Sequence, residues 1–371
     1  MRIVLLHTRL SGYIASCLRS LKRQTGCEFL IYVWPNQPDA PFDVSQFEDL
    51  GTIRNRHDFA DSKIEKSIKD FAPDAIMTSG WADKGYVKIC RHFKNSGVPI
   101  IAGCDTQWTG NLRQKFASMT ASLHVKRAID VLWATGERQA TFARSLGFSG
   151  SSLWDGYYAC DWSKFSSSEA PRPASLSEDT TPYFLFVGRY VPEKGIDTLA
   201  EAYSLYCDSV ESPWPLISAG SGPQKQILCD AGAVDRGFVQ PDKLPELMQN
   251  AATFILPSRF EPWGVVVQEA AASGLPLILA DQVGAGVHLL RQHFNGYSFP
   301  AGSSHALAEK MLDMHMLPAE KRLEMRRNSE MLSRQYTPER WANTFVSGLI
   351  ALQKTHELGL SPMEKSQEIT R

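Results

Sequence analysis

Two series of short, branched, continuously apolar runs alternate with helical stretches, and a run that can form neither element separates the two series. Runs of this kind predict parallel strands buried on both faces, each followed by a crossover helix. In the first series, "RIVLL" (Arg2–Leu6), "FLIYVW" (Phe29–Trp34), "DAIMTSG" (Asp74–Gly80) and "VPIIAGC" (Val98–Cys104) are the strand candidates. In the second they are "YFLFVG" (Tyr183–Gly188), "WPLISAG" (Trp214–Gly220), "DRGFV" (Asp235–Val239), "ATFILPS" (Ala252–Ser258) and "LPLILA" (Leu275–Ala280). The separator, Ser166–Pro182, is rich in Ser and Pro, lacks periodicity and reads as a linker. At 371 residues the chain is too long for one ordinary core. Two α/β domains of similar size are expected, 1–165 and 183–335. Ligands of open parallel sheets bind beyond the carboxyl ends of the strands, so a cleft between two such domains is the expected site.

The net charge of −1 gives no global case for a nucleic-acid partner. Its distribution is uneven: residues 1–164 carry 21 Lys and Arg against 16 Asp and Glu, while the remainder carries 18 against 24. A basic first half suits an acidic partner or a peripheral membrane contact, and chance asymmetry is the alternative. The seven cysteines form no CxxC pair, so buried reduced thiols in a cytoplasmic protein are expected, not a zinc site. His7 and Arg9 interrupt the apolar start, and no run approaches the ~20 apolar residues of a membrane span.

Three stretches of the second domain carry chemistry. In "FVGRYVPEKGIDTLAEA", Gly188 ends a strand, and Arg189 and Lys194 precede a helix that starts near Gly195. Two cations beside a helix N-terminus describe a diphosphate site, with surface cations as the plain alternative. It is neither a Walker loop nor GxGxxG. "GFVQPDKL" places Val239 at a strand end, where backbone groups could meet a flat base. In "LPSRFEPWGVVVQEA", Glu261 lies in a loop, Gly264, Val265 and Val266 open a helix, and Glu269 lies one turn inside it. The first amides of that helix lack intrahelical partners. A phosphate flanked by two hydroxyl-accepting carboxylates describes a nucleotide sugar; a turn residue and a surface glutamate are the alternative.

In this order and spacing, "VGRYVPEKGID", "SAGSGP", "GFV", "PSRFEPWGVVVQEA" and "VGAGVHLLRQHFNGYSF" resemble the C-terminal half of the retaining glycosyltransferases of family 4, which have the GT-B fold. The resemblance is dense from Phe184 to Phe299. It implies two Rossmann-like α/β/α domains, with 336–371 packing back on the first. It implies a nucleotide-diphosphate-sugar donor, a glycan or lipid-linked acceptor, retention of configuration, and neither metal nor cofactor. Arg189 and Lys194 would neutralise the leaving diphosphate, Glu261 would contact the donor sugar and Glu269 the ribose. Gly264, Val265 and Val266 would offer backbone amides to phosphate or sugar, Gly188 would allow close approach of the donor, and Val239 would meet the base through its backbone.

The chain departs from the family pattern in its first domain. The first strand–helix loop, "HTRLSGYI", has only Gly12 where members often carry a Gly-Gly pair. "AGCDTQWTGNLRQ" supplies Asp105 where members place a His or Asp near the donor sugar, and a loop-capping Asp is the alternative. Bacterial surface polysaccharide assembly is the expected setting. A glycoside hydrolase using Glu261 and Glu269, another GT-B enzyme such as an epimerase or phosphorylase, and a non-catalytic GT-B protein are the competing readings.

Overall fold

The computed structural model describes residues 1–35, 47–166 and 181–357. Most of the expected linker and the polar tail lie outside these residues. The chain divides into two compact units, Met1–Ala159 with Pro338–Arg371, and Cys160–Thr337.

The first unit holds seven parallel strands: β1 (Arg2–His7), β2 (Glu28–Val33), β3 (Gly51–Asn55), β4 (Ala75–Thr78), β5 (Ile100–Cys104), β6 (Val131–Ala134) and β7 (Leu153–Asp155). Their order is β3-β2-β1-β4-β5-β6-β7. The period of two along β1 sends Ile3 and Leu5 into one apolar layer and Val4 and Leu6 into the other. Both faces are therefore covered, which is why β1 reads as a continuous apolar run.

One of those layers is closed by the last helix, Pro338–Glu357, which packs beside the helix Gly12–Thr25. Trp341 stacks on Trp133 with ring centroids 4.7 Å apart, and its indole N–H donates to the Tyr157 carbonyl at 2.8 Å. Both rings are almost wholly buried. Trp341→Ala should cost about 3–5 kcal/mol, the range for emptying a large aromatic site, read as a lowered denaturant midpoint for this unit.

The second unit repeats the topology with six parallel strands: β8 (Phe184–Val187), β9 (Leu216–Ala219), β10 (Val234–Asp235), β11 (Thr253–Leu256), β12 (Leu277–Ala280) and β13 (Gly296–Phe299). Their order, β10-β9-β8-β11-β12-β13, reverses direction between β8 and β11. Such a switch point leaves a crevice at the carboxyl ends of the two strands.

The expected strand Asp235–Val239 is corrected: β10 ends at Asp235, and Val239 lies in the loop beyond it. Asp235 accepts from Tyr190 Oη at 2.6 Å and from the Gly237 amide at 3.0 Å, and pairs with Lys225 at 2.6 Å. Backbone bonds to β9 run on to Arg236, whose amide donates to the Ser218 carbonyl at 2.8 Å, and to Gly237, whose carbonyl accepts from the Gly220 amide at 2.8 Å; Gly237, at φ 64°, then turns the chain away. Among the described residues no helix is long and apolar enough to cross a membrane. Five cysteines, Cys17, Cys27, Cys90, Cys104 and Cys160, are buried, and Cys207 and Cys229 partly so.

Candidate functional site

In the second unit Gly188, Arg189, Lys194 and the Glu261–Val266 stretch follow the two strands that flank the switch point, whereas Val239 follows the edge strand β10. β8 ends at Val187, and Gly188 and Arg189 follow directly. Gly188 donates its amide to the Ala219 carbonyl at 3.0 Å, extending the β8–β9 ladder by one bond. Arg189 is exposed and makes no hydrogen bond or ion pair among the described residues. A single 3-10 turn, Pro192–Lys194, then leads into the helix Ile196–Asp208.

Gly195 sits between the turn and the helix at φ 67°. A Cβ there would collide with the Pro257 carbonyl at the end of β11. Only a glycine allows both this conformation and this approach, and together they press Lys194 against the loop after β11. Arg259 reinforces the contact: its amide donates to the Glu193 carbonyl at 2.9 Å, and its guanidinium reaches the Pro192 carbonyl at 3.2 Å and Asp197 at 2.7 Å.

The result is an ion pair between Lys194 Nζ and Glu261 Oε2, with both side chains largely buried. Ser258 Oγ lies 3.5 Å from the same oxygen. The loop carrying Glu261 is clamped from the next strand's loop. The Gly284 amide donates to the Glu261 carbonyl and the Ala285 amide to the Trp263 carbonyl, each at 2.9 Å. A side chain at Gly284 would strike the Pro262 carbonyl. Pro262 and Trp263 are thus held on their backbone, and Trp263 is buried beside His288 and Tyr336 at 5.5 Å from each ring.

Gly264, at φ 93°, precedes the helix Val265–Ala272. The amides of Val265 and Val266 open that helix, and both residues are partly accessible. Such amides favour an anion. Glu269 lies one turn further on, half-buried, and burial raises its carboxyl from 4.5 to about 7. The charges of Lys164 and Asp161 act on it in opposite directions. Glu261 and Glu269 therefore sit in separate surroundings, one paired with Lys194 and the other facing the helix Trp162–Phe165. This arrangement does not favour the glycosidase reading, which needs both carboxyls on one bond.

In the first unit Gly12 is the first residue of the helix that follows β1, with open space where a Cβ would project. Asp105 follows β5 and is exposed. It accepts from Tyr158 Oη at 3.2 Å, and its carbonyl accepts from Gln139 Nε2 at 3.3 Å. Sequence reasoning missed the group around it. Tyr13 and Tyr158 meet edge to face at 5.2 Å, Tyr157 lies 5.0 Å from Tyr158, and Tyr157 Oη bonds His7 Nε2 at 2.9 Å. His7 Nδ1 lies 3.1 Å from the Arg9 carbonyl, and burial lowers its pKa to about 4, so the ring is neutral at physiological pH. The doublet "YY" beyond an apolar "LW" was the available signal. Trp108 stacks on Phe142 at 6.1 Å, a packing role.

Among the described residues no group of three or more His, Cys, Asp or Glu is placed to hold a metal ion.

Residues 167–331 match the family described as glycosyl transferases group 1. The uncharacterized glycosyltransferase MJ1607 of Methanocaldococcus jannaschii is 32% identical over 127 residues, 32% of each chain. The GDP-mannose-dependent alpha-mannosyltransferase of Mycobacterium tuberculosis is 26% identical over 285 residues, covering 74% of this chain and 72% of that one. The match thus spans about a third of the archaeal relative's length and most of the mycobacterial one's. Among solved structures, that of HepE from Anabaena in complex with UDP superposes with a TM-score of 0.75 at 17% identity, over 95% of this chain and 100% of that one. Residues 167–331 are thus similar to the group 1 glycosyl transferases, and the chain's two Rossmann-like units have the fold seen in GT-B glycosyltransferases.

Proposed function

We propose that this chain transfers a sugar from a nucleotide-diphosphate-sugar donor to a glycan or lipid-linked acceptor with retention of configuration. The observation that carries the reading is the buried Lys194–Glu261 pair at the switch point of the second sheet, beside the Gly264–Val266 amides and the unengaged Arg189. A cation held by a carboxylate is positioned before any ligand arrives. Donor diphosphate would draw that ammonium, with Arg189 and the helix amides, onto its oxygens. Glu261 would then turn to a hydroxyl of the donor sugar.

Departure of a diphosphate leaves negative charge on the leaving group and positive charge at the anomeric carbon. Preorganised cations and amides stabilise the former, and this is the main electrostatic contribution. Glu269 would accept from the ribose hydroxyls and Val239 would meet the base through its backbone, while Gly188, whose amide is already bonded to the Ala219 carbonyl, would border the phosphate by leaving it room. In the first unit Gly12 would border the donor phosphate, and Asp105 would bond a sugar hydroxyl or stabilise the developing positive charge. Its bond to Tyr158 fixes its orientation. The mycobacterial relative uses GDP-mannose by its name, and HepE was solved with UDP. A lipid-linked or anionic glycan acceptor, of the kind used in surface polysaccharide assembly, would suit the basic first unit.

The test is a thermal-shift and calorimetric screen of nucleoside diphosphates. At least one of UDP and GDP should bind and raise the melting temperature, and Arg189→Ala should weaken that binding about tenfold, by loss of one charge-assisted bond. Binding of neither would sink the donor assignment.

A further inference from the structure

The helix Leu112–Thr120, in the first unit, is turned inside out. Leu112 is 84% exposed, Phe116 67% and Met119 81%, and Leu123 in the following turn is 51% exposed. At 100° per residue, Leu112, Phe116 and Met119 fall within a 60° arc, so they form one continuous outward stripe. The inward side is small or polar. Gln114 and Ala121 are buried, and Ala117 and Ser118 partly so.

The polar side is also what anchors the helix. Gln114 Nε2 donates to the Gln107 carbonyl at 2.7 Å, and Gln114 Oε1 accepts from the Thr109 and Gly110 amides at 2.7 and 3.2 Å. Asn111 Oδ1 caps the helix at the Gln114 amide, and Ser118 Oγ reaches Ser145 Oγ at 3.0 Å. The outward stripe is therefore fixed by specific bonds, and no small rotation can bury it without breaking them.

The surrounding charge has one sign. Residues 111–128 contain Arg113, Lys115, Lys126 and Arg127 and no Asp or Glu. Arg113 and Lys115 flank the stripe on either side of the helix. They and Arg127 are exposed and form no ion pair among the described residues. Lys126 is tied to the Gly147 carbonyl at 2.8 Å. An exposed apolar stripe bordered by cations, on a short helix, has the character of a segment that lies in a membrane interface.

We propose that Leu112, Phe116, Met119 and Leu123 insert among the acyl chains of an anionic bilayer surface, while Arg113, Lys115 and Arg127 engage its headgroup phosphates. A second protein surface would need acidic residues opposite these cations. Another copy of this stripe would bring like charges together, so the lone positive sign favours lipid. The contact would hold the first unit at the surface where a lipid-linked acceptor resides. It does not depend on the donor reading.

The experiment is co-sedimentation of the full chain with phosphatidylcholine vesicles containing roughly a third phosphatidylglycerol, without donor or acceptor. The chain should bind, and high salt should weaken the binding. Phe116→Asp/Met119→Asp should lower the bound fraction at least about tenfold, and Arg113→Gln/Lys115→Gln/Arg127→Gln should remove the preference for anionic over pure phosphatidylcholine vesicles. Both variants should keep the parent's circular dichroism and melting temperature, since the altered side chains point outward. Absence of binding by the parent chain would overturn the proposal, as would equal binding by the aspartate variant. So would sedimentation of the parent as a dimer that the aspartate variant abolishes, with no vesicle binding. Nucleoside diphosphate binding is measured separately, so either reading can fail alone.

Discussion

Lys194→Met is expected to lower turnover on a nucleotide-sugar donor by about 10²–10³-fold, the usual loss on removing one preorganised stabiliser of leaving-group charge. The single variant is not a clean test. Lys194 and Glu261 are paired and largely buried, and removing one partner strands the other charge at a cost of about 3–5 kcal/mol. A loss of activity could then follow from local collapse. Lys194→Met/Glu261→Gln removes both charges at nearly constant volume. Its stability should return to within about 1 kcal/mol of the parent, because replacing a whole buried pair is often neutral. Turnover should stay low. Recovery of both stability and turnover in the double variant would show that the pair is a structural bridge and not part of the reaction.

A second large effect is expected at Glu269. Burial raises its carboxyl from 4.5 to about 7, so between these values the folded state holds a proton that the unfolded chain has released. Stability therefore falls as pH rises through this interval. Its full span corresponds to at most about 3 kcal/mol, less the screening available to a half-buried group. Glu269→Gln should match the parent near pH 4.5 and exceed its melting temperature by a few degrees at pH 8. The same variant should bind a nucleotide sugar more weakly, since a carboxylate accepts two ribose hydroxyls better than an amide does. The parent's affinity for a nucleotide sugar should rise from pH 6 to pH 8, and the variant's should stay flat. A flat profile in the parent would refute the ribose role. A residue that costs stability when ionised, yet is needed ionised for binding, behaves as functional sites do.

The second unit was largely legible from sequence because its site is made by backbone constraints that restrict residue type. Gly195 must be glycine to pass Pro257, Gly284 must be glycine to pass Pro262, and the strands between are apolar runs with clear ends. Val239 was placed on a strand because "GFV" has strand composition, while Gly237 adopts a left-handed conformation that takes the chain off the ladder two residues earlier. In the first unit β3 was missed because its edge position leaves "GTIRN" half polar, and β6 and β7 because four and three residues are too few to show a period. The group His7, Tyr13, Asp105, Tyr157 and Tyr158 is drawn from distant parts of the chain and meets only where β1, β5 and β7 end. No local pattern could have assembled it. The outward stripe at Leu112–Met119 was hidden for the opposite reason: its spacing is that of an ordinary amphipathic helix, and only exposure tells which way the apolar side faces.

The first unit takes its last helix from the end of the chain, whereas the second is one continuous stretch. During synthesis, Trp133 can meet Trp154 and Tyr157 early, but its ring keeps one face uncovered until Trp341 and Phe345 have emerged from the ribosome. Cys160–Thr337 has all its strands by then and can complete its core first, reversing the usual N-to-C order of domain folding. A nascent chain stalled or cut before Pro338 would carry a finished second unit attached to an open, adhesive first sheet. The apolar layer of the first sheet is thus completed only by the helix Pro338–Glu357, and truncation before it would be felt at the opposite end of the sequence.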